Sequence, residues 1–599
     1  MVRIISLYCN AARLFCQEGR RQGNPAAPPR ERHANESSDA APIRVDFAAM
    51  SASEAPSASP LLPARLAPEE TAAPPSLLGH LLGPRGGGAP QRELPLRSLP
   101  YLVVAALVTA PAWIVRHPPI QDLPFHLATL RVIHHLHDPA FGFDRDFYLD
   151  IFHTEYVLYY LVGSTLAFVL GVYSANIVMM CGYLGGTVLA LRELLLALRK
   201  DPRLSLFVVP LLVNVMFVMG LLPFMIGVPI MFWALALAIR YVDMPTREGG
   251  VAVGAVALAL FYTHILPFAV FGIGFAAIFP WTRPRRWVRA AAPVAPSALL
   301  AAFWALGSDA GLRALHALGG RRDATPLTDP SASFAQWSFD CFSDPPGQVQ
   351  SSEALFFALV LLALVSVGLA QGEPDATRRI GRGYVVVPLA CVVFYLTMGP
   401  QLGIVWLFSQ RFPVLALMSG IPLLRIPRGD RGVLITVGAL AIGAASIVNT
   451  CKHFIDFERK EVGDIDGAIA AMEPRKHVAG LIYDKGSAIV HGAPFLHFVS
   501  YYQLEKGGVV TFSYVSFPHW PVLFKPGHFP PPGGPLRLRW EWTPEQVTID
   551  ELVKYYDYVL TRGAGFHPPA GTFHVKWKGD RWTVWARDRP PASGASGGE

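Results

Sequence analysis

Apolar residues in this chain come in long uninterrupted runs rather than in the strict alternation of strands. A helix needs about 20 apolar residues to cross a bilayer, fewer when it is flanked by protein, and on that criterion the runs predict about eleven spans. They fall at 98–116, 174–198, 204–221, 224–241, 251–266, 267–281, 288–306, 353–371, 383–399, 411–425 and 432–449. The run Val251–Trp281 is too long for one untilted helix. His264 and Pro267 lie near its middle and predict a hairpin of two short helices. The fold class expected is therefore an all-α polytopic membrane protein. A C-terminal α/β domain is expected outside the membrane.

Tyr156–Leu170 is apolar enough to span, or it lies along the surface as an interfacial helix. In the second case every arginine-rich connection falls on one side: Arg199–Arg203, Arg240–Arg247, Arg283–Arg289, Arg378–Arg382 and Arg425–Arg431. That agrees with the excess of Lys and Arg in cytoplasmic loops. The N-terminus is then inside. Loops 117–173 and 307–352 and everything after Asn449 face outward, which suits a bacterial inner membrane with periplasmic segments.

Residues 452–599 regain ordinary polarity and read as a separate small α/β domain, after a membrane domain at 98–451. His477–Tyr483 and Tyr556–Thr561 read as strands. Thr548-Ile-Asp-Glu551 has the capping-box pattern of a helix start. Thr572–Lys578 and Arg581–Arg587 alternate apolar and polar residues around Gly579-Asp580, a two-residue hairpin turn. Phe517–Pro535 is a Pro- and Gly-rich loop. Residues 1–97 are rich in Pro, Ala, Ser, Gly and Arg and read as a disordered cytoplasmic tail. A start downstream of Met1 accounts for them equally well. No internal repeat is visible.

Composition narrows the class. The chain of 599 residues is 52% hydrophobic and 16% charged, against roughly 25% charged in soluble proteins. A soluble multi-domain enzyme, a disordered scaffold and a single-anchor receptor are excluded. The net charge of +7 sits in loop arginines, so topology explains it and nucleic acid is not implied. Six cysteines show no metal-type spacing. Cys341 and Cys451 would share a side, where a disulfide is open to them.

The first outer loop carries the chemistry. It begins Arg116-His-Pro-Pro-Ile-Gln-Asp122-Leu-Pro-Phe-His126. Asp122 and His126 are four apart and share a face of a helix, which continues through Arg131, His134 and His135. Asp144-Arg-Asp146 and His153-Thr-Glu155-Tyr156 follow. A carboxylate at the mouth of a bundle serves as a general base or holds a divalent cation beside a phosphate; Asp122 and His126 are the candidates for such a cation. The alternative is that both merely cap and solvate a loop helix. His264 lies deep in an apolar run, where a polar group tends to face a cavity or bond a neighbouring helix. Asn214 reads as glue between helices, and Arg192 and Glu193 as a pair at the inner end of a span. Trp337 and Trp520 suit interfacial anchoring or a sugar face, and Asp340 and Asp344 a solvated loop.

The layout resembles the GT-C superfamily of integral-membrane glycosyltransferases. The resemblance covers about residues 98–590. It rests on Gln121-Asp122-Leu-Pro-Phe-His126 close after a span, and on an aromatic helix ending Leu170-Gly171-Val-Tyr-Ser-Ala175. Asn214–Phe224 runs into Gly227-Val-Pro229, and Tyr262-Thr-His264-Ile-Leu-Pro267 separates two short spans. A late Arg411-Phe-Pro413 and an outer domain close the pattern. It implies transfer of a sugar from a polyprenyl-phosphate-linked donor to an envelope glycan, lipid or protein. By the same resemblance Asp122 is the base or acceptor-binding carboxylate and Arg411 faces the donor phosphate. His126 and His264 would line the substrate site. The family often has two adjacent acids at the first position; here Gln121 stands beside Asp122, and Glu155 is the candidate second carboxylate. A transporter or flippase for an envelope lipid or glycan, and a non-catalytic assembly protein of the same fold, are the competing readings.

Overall fold

A computed structural model describes residues 95–151, 154, 156–308, 311–313, 315–316, 330–370, 383–402, 405–511, 520–530 and 539–588. Almost all of the tail expected at 1–97 lies outside the described residues, as do His153 and Glu155. Within this set the apolar runs form helices wherever nothing interrupts their hydrogen bonds. They break where proline or glycine does.

Helix α1 (Pro95–Leu107) gives way to a 3₁₀ turn at Ala110–Ala112, which contains Pro111. Helix α2 (Leu123–His134) lies in the first loop, followed by the short strand β1 (Phe147–Leu149). Helix α3 (Val157–Ala197) is two helices joined at Gly171, whose φ of 74° and ψ of 162° are not helical. The break separates 157–170 from the span expected to begin at 174. The next expected span, 204–221, is not one helix. It is a 3₁₀ run at Pro202–Leu211, then Asn214 capping the short helix Val215–Val218. Pro210 has no N–H to donate, and the Asn214 side chain accepts from Phe217 N–H, so a second helix starts where the first would continue.

Helix α4 (Leu222–Asp243) is the most enclosed of the long helices and packs against α3. Helices α5 (Arg247–Thr263) and α6 (Ile265–Ile278) form the expected hairpin, broken at His264. Helix α7 (Ala295–Gly307) is bent by 70° from a short helix before it, across Pro293. Helices α8 (Ser351–Leu369), α9 (Val386–Thr397), α10 (Phe412–Gly420) and α11 (Gly429–Phe457) follow. Among the described residues four helices are long and apolar enough to cross a membrane, five if the bent pair is one span. The chain is a multi-pass membrane protein on that count. Among the described residues the remaining expected spans are shorter or broken helices. Toward lipid these helices present bare apolar side chains such as Leu361, Leu364 and Leu434.

The described residues form one unit. The domain boundary expected at 451/452 falls inside α11, which carries the chain without a break into the C-terminal region. That region contains strands β2 (His477–Ile482), β3 (Val509–Val510) and β4 (Val522–Phe524), with helix α12 (Ser500–Lys506) between β2 and β3. Strands β5 (Tyr558–Arg562), β6 (Phe573–Lys578) and β7 (Trp582–Arg587) complete it. A five-stranded sheet runs β3-β2-β5-β7-β6, parallel at β3-β2-β5 and antiparallel beyond. The hairpin between β6 and β7 turns through Gly579–Arg581 rather than two residues, and a bulge between Val575 and Trp577 takes up the offset. Thr548 opens the expected helix (Ile549–Tyr555), its hydroxyl bonded to the Glu551 carboxylate.

The C-terminal region is stitched to both polar loops. Strand β1 pairs antiparallel with β4, and Phe342 bridges Val490. Glu458 accepts from the backbone N–H groups of Arg116 and His117 at 2.7 and 2.9 Å. Asp340 and Asp344 are engaged rather than solvated. Asp344 accepts from Ser351 N–H at the start of α8 and lies 3.5 Å from His453; Asp340 pairs with His491. Cys341 and Cys451 are free thiols. Glu193 pairs with Arg192 and also with Arg240.

Gly171 occupies a backbone region that only glycine enters readily, and a Cβ there meets open space. The cost of replacing it is thus torsional. Gly171→Ala should destabilise the fold by about 1–3 kcal/mol. The check is the melting temperature of the detergent-solubilised protein, and an unchanged value would mean the bend does not need the glycine.

Candidate active site

Asp122 is placed by its backbone. Gln121 and Asp122 donate their N–H groups to the carbonyls of Val218 and Met219, at 2.9 and 3.3 Å. The approach is close because Gly220 has no side chain: a Cβ there would lie 2.6 Å from Asp122 N and 2.8 Å from its Cβ. Gly220 also has φ +84°, a left-handed conformation that glycine adopts without strain. Asp122 is then the N-cap residue of α2, buried at 3% exposure.

His126 follows one turn later, as its spacing predicts, but its ring is spent on the fold. Nε2 lies 2.8 Å from the Gly220 carbonyl, which can only accept, so Nε2 carries the proton. Nδ1 therefore accepts from the Tyr160 hydroxyl at 2.8 Å. Burial lowers His126 to about 4, and the ring is neutral at physiological pH. Among the described residues no group of three His, Cys, Asp or Glu is placed to hold a metal ion.

The C-terminal region supplies what the first loop lacks. His497 Nε2 stands 3.5 Å from Asp122 Oδ1 and 3.0 Å from Glu541 Oε1, with all three side chains almost wholly buried. Gln121 Nε2 approaches the same Asp122 oxygen at 3.4 Å, as a donor rather than a second acid. Burial, then the nearby Asp122 charge, raises the Glu541 carboxyl well above the usual range. Burial, then His126, lowers His497 well below its ordinary value. Both shifts disfavour the charged form, the direction that burial away from water imposes. The Phe125 ring packs edge-on against His497 at 3.8 Å.

Aromatic rings connect this cluster to a buried cation. Trp520 lies 6.1 Å from the His126 ring, 5.5 Å from Tyr160 and 6.0 Å from Tyr156. Tyr156 meets His264 edge-on at 4.9 Å. His264 breaks α5 from α6 because its Nδ1 caps α6, accepting from Leu266 N–H at 3.0 Å. Its Nε2 is 2.9 Å from Arg411 Nη1. Arg411 is held by the carbonyls of Leu407 and Trp406, at 3.2 and 3.1 Å, and lies over the Phe224 ring.

Asp122, His126, His264 and Arg411, all picked out in the sequence, thus lie along one connected set of contacts. Glu155 is outside the described residues. His497 and Glu541 had only faint signals: a histidine within the apolar Phe495–Val499, and an acid between Trp540 and Trp542. Trp520 is buried against α2 and is not an anchor at a membrane surface.

No family model matches the chain, and no curated protein matches it. Solved structures do, among them two of ArnT from Cupriavidus metallidurans. One is in the apo state, at 12% identity and a TM-score of 0.49. The other is bound to undecaprenyl phosphate, at 14% identity and a TM-score of 0.47. Each covers 82% of this chain and 97% of its own. A likeness this loose assigns no function to individual residues.

A histidine held neutral by burial stabilises the fold fully above its ordinary value of 6.5 and loses that contribution as the pH falls toward about 4. The loss at the bottom of that window is about 3 kcal/mol. Acid unfolding of His126→Gln should therefore show a flatter limb between those pH values. An identical limb in the variant would remove His126 as the cause.

Proposed function

We propose that this chain is a membrane glycosyltransferase that moves a sugar from a polyprenyl-phosphate-linked donor to an acceptor at the outer face. The observation that carries the reading is the buried pairing of functions: a carboxylate at Asp122 and a cation at Arg411, joined through one aromatic wall. The acceptor hydroxyl attacks the anomeric carbon and gives its proton to Asp122. The bond from that carbon to the phosphate oxygen breaks, and polyprenyl phosphate leaves with growing negative charge. Arg411 faces that charge with its planar fork, already held by two backbone carbonyls.

His264 stands beside the anion site: its Nδ1 accepts from a backbone N–H, and its Nε2 lies 2.9 Å from Arg411 Nη1, a contact that positions the guanidinium. Tyr156 and Trp520 supply rings for the sugar or the first isoprene unit.

The sidedness follows from contact and charge together. The first loop, residues 340–344 and the C-terminal region touch one another, so they share a side of the membrane. The arginine-rich connections take the other, cytoplasmic side. Reporter fusions after Lys200 should report cytoplasm and those after Asp464 the exterior; a periplasmic signal at Lys200 would mean that 156–170 spans.

The functional test is complementation. A deletion strain should lose a defined envelope glycan, and wild-type protein should restore it. Asp122→Asn should not restore it although the protein accumulates normally. Arg411→Lys keeps the charge but loses the fork, and should slow restoration on the order of 100-fold. Full restoration by Asp122→Asn would sink the assignment.

A further inference from the structure

Two buried carboxyls and an imidazole are an expensive way to fill space. Apolar side chains of similar volume in place of a buried ionic cluster are often neutral or stabilising. Fold stability therefore gives no reason for Glu541 and His497 to stand beside Asp122. Perturbed groups of this kind gather where chemistry is done. The geometry has the form of an acid oriented through a shared ring. One His497 nitrogen faces Asp122 Oδ1 at 3.5 Å and Glu541 Oε1 at 3.0 Å.

We propose that His497 and Glu541 are positioning residues, which hold the Asp122 carboxylate in the orientation that receives the acceptor's proton. The inference rests on the functional reading above. His497 Nε2 is the ring nitrogen that lies against both carboxyls, and Glu541 packs on the ring from the far side. Burial raises the Glu541 carboxyl well above its usual range, which disfavours a second negative charge near Asp122. Gln121, His126 and the Tyr160 hydroxyl that His126 engages also lie at the cluster. Neither positioning residue belongs to the first loop. The site is complete only when the C-terminal region is docked on α2, through β1 with β4 and through Arg131, which donates to Leu504 O at 2.9 Å.

The test uses full-length variants in the deletion strain. The readouts are the initial rate at which the missing glycan returns after induction and the melting temperature of the purified protein. Glu541→Leu should melt at or above the wild-type temperature and work about 100-fold more slowly, the scale of a misplaced catalytic group. Glu541→Gln should recover most of the rate, because a carboxamide fills the same space and keeps an uncharged polar group against the imidazole. His497→Phe keeps the packing on Phe125, removes the ring nitrogen between the two carboxyls, and should be as slow as Glu541→Leu. A wild-type rate in Glu541→Leu or His497→Phe overturns the proposal. So does a Glu541→Gln variant as slow as Glu541→Leu, because Glu541 would then act through its own proton. If Glu541→Leu fails to accumulate, the rate of His497→Phe decides. Inactive Asp122→Asn beside active Glu541→Leu removes this inference alone, whereas active Asp122→Asn removes the functional reading beneath it.

Discussion

Everything in the site hangs on the close approach of two backbones, 121–122 against 218–220. Two N–H groups of the first loop find carbonyl partners there, and the pairing is open only because Gly220 has no Cβ. The same turn then does three further things. Its carbonyl at Gly220 fixes the His126 ring. Its left-handed residue sends the chain into α4, which starts at Leu222 and brings Phe224 against both His264 and Arg411. It also aims α2 so that its far end meets α12. A side chain at 220 would separate the carboxylate from the cation, whatever the rest of the chain did.

Electrostatics explain why the site needs more than its two obvious charges. A carboxylate removed from water must be compensated locally. Asp122 has an amide and an imidazole beside it, and burial raises the Glu541 carboxyl behind that imidazole well above its usual range. Arg411 is held by two carbonyl dipoles and an aromatic face. Aromatic and imidazole rings lie between the two ends of the site.

The C-terminal region is an integral wall of the site. Helix α11 carries the chain out of the membrane helices without a hinge, and the ion pairs of Arg116 with Asp466 and Glu505 tie the exit of α1 to it. Its sheet lies behind this contact as a scaffold: β2 and β5 supply buried faces, while the residues that reach the site come from the connections, at His497, Trp520 and Glu541. Loops on a rigid sheet are where binding groups usually sit.

What the sequence by itself determined was everything set by local composition. Long apolar runs dictate helices in lipid, and His264 between two such runs dictates the break between α5 and α6, because a buried polar ring finds its partner at a helix start. Strands β2, β5, β6 and β7 were legible from their apolar patterning, and Asp122 from its place just after a span. Where a single expected helix is divided, the origin is local: Pro210 and Asn214 divert 204–221 through competing bonds. Only the tertiary structure decided which residues surround Asp122. The acid expected beside it in the chain is a glutamine, and the acid actually beside it, Glu541, arrives from the far end of the sequence. Proximity across such a separation is set by packing, which leaves no periodic trace in the sequence.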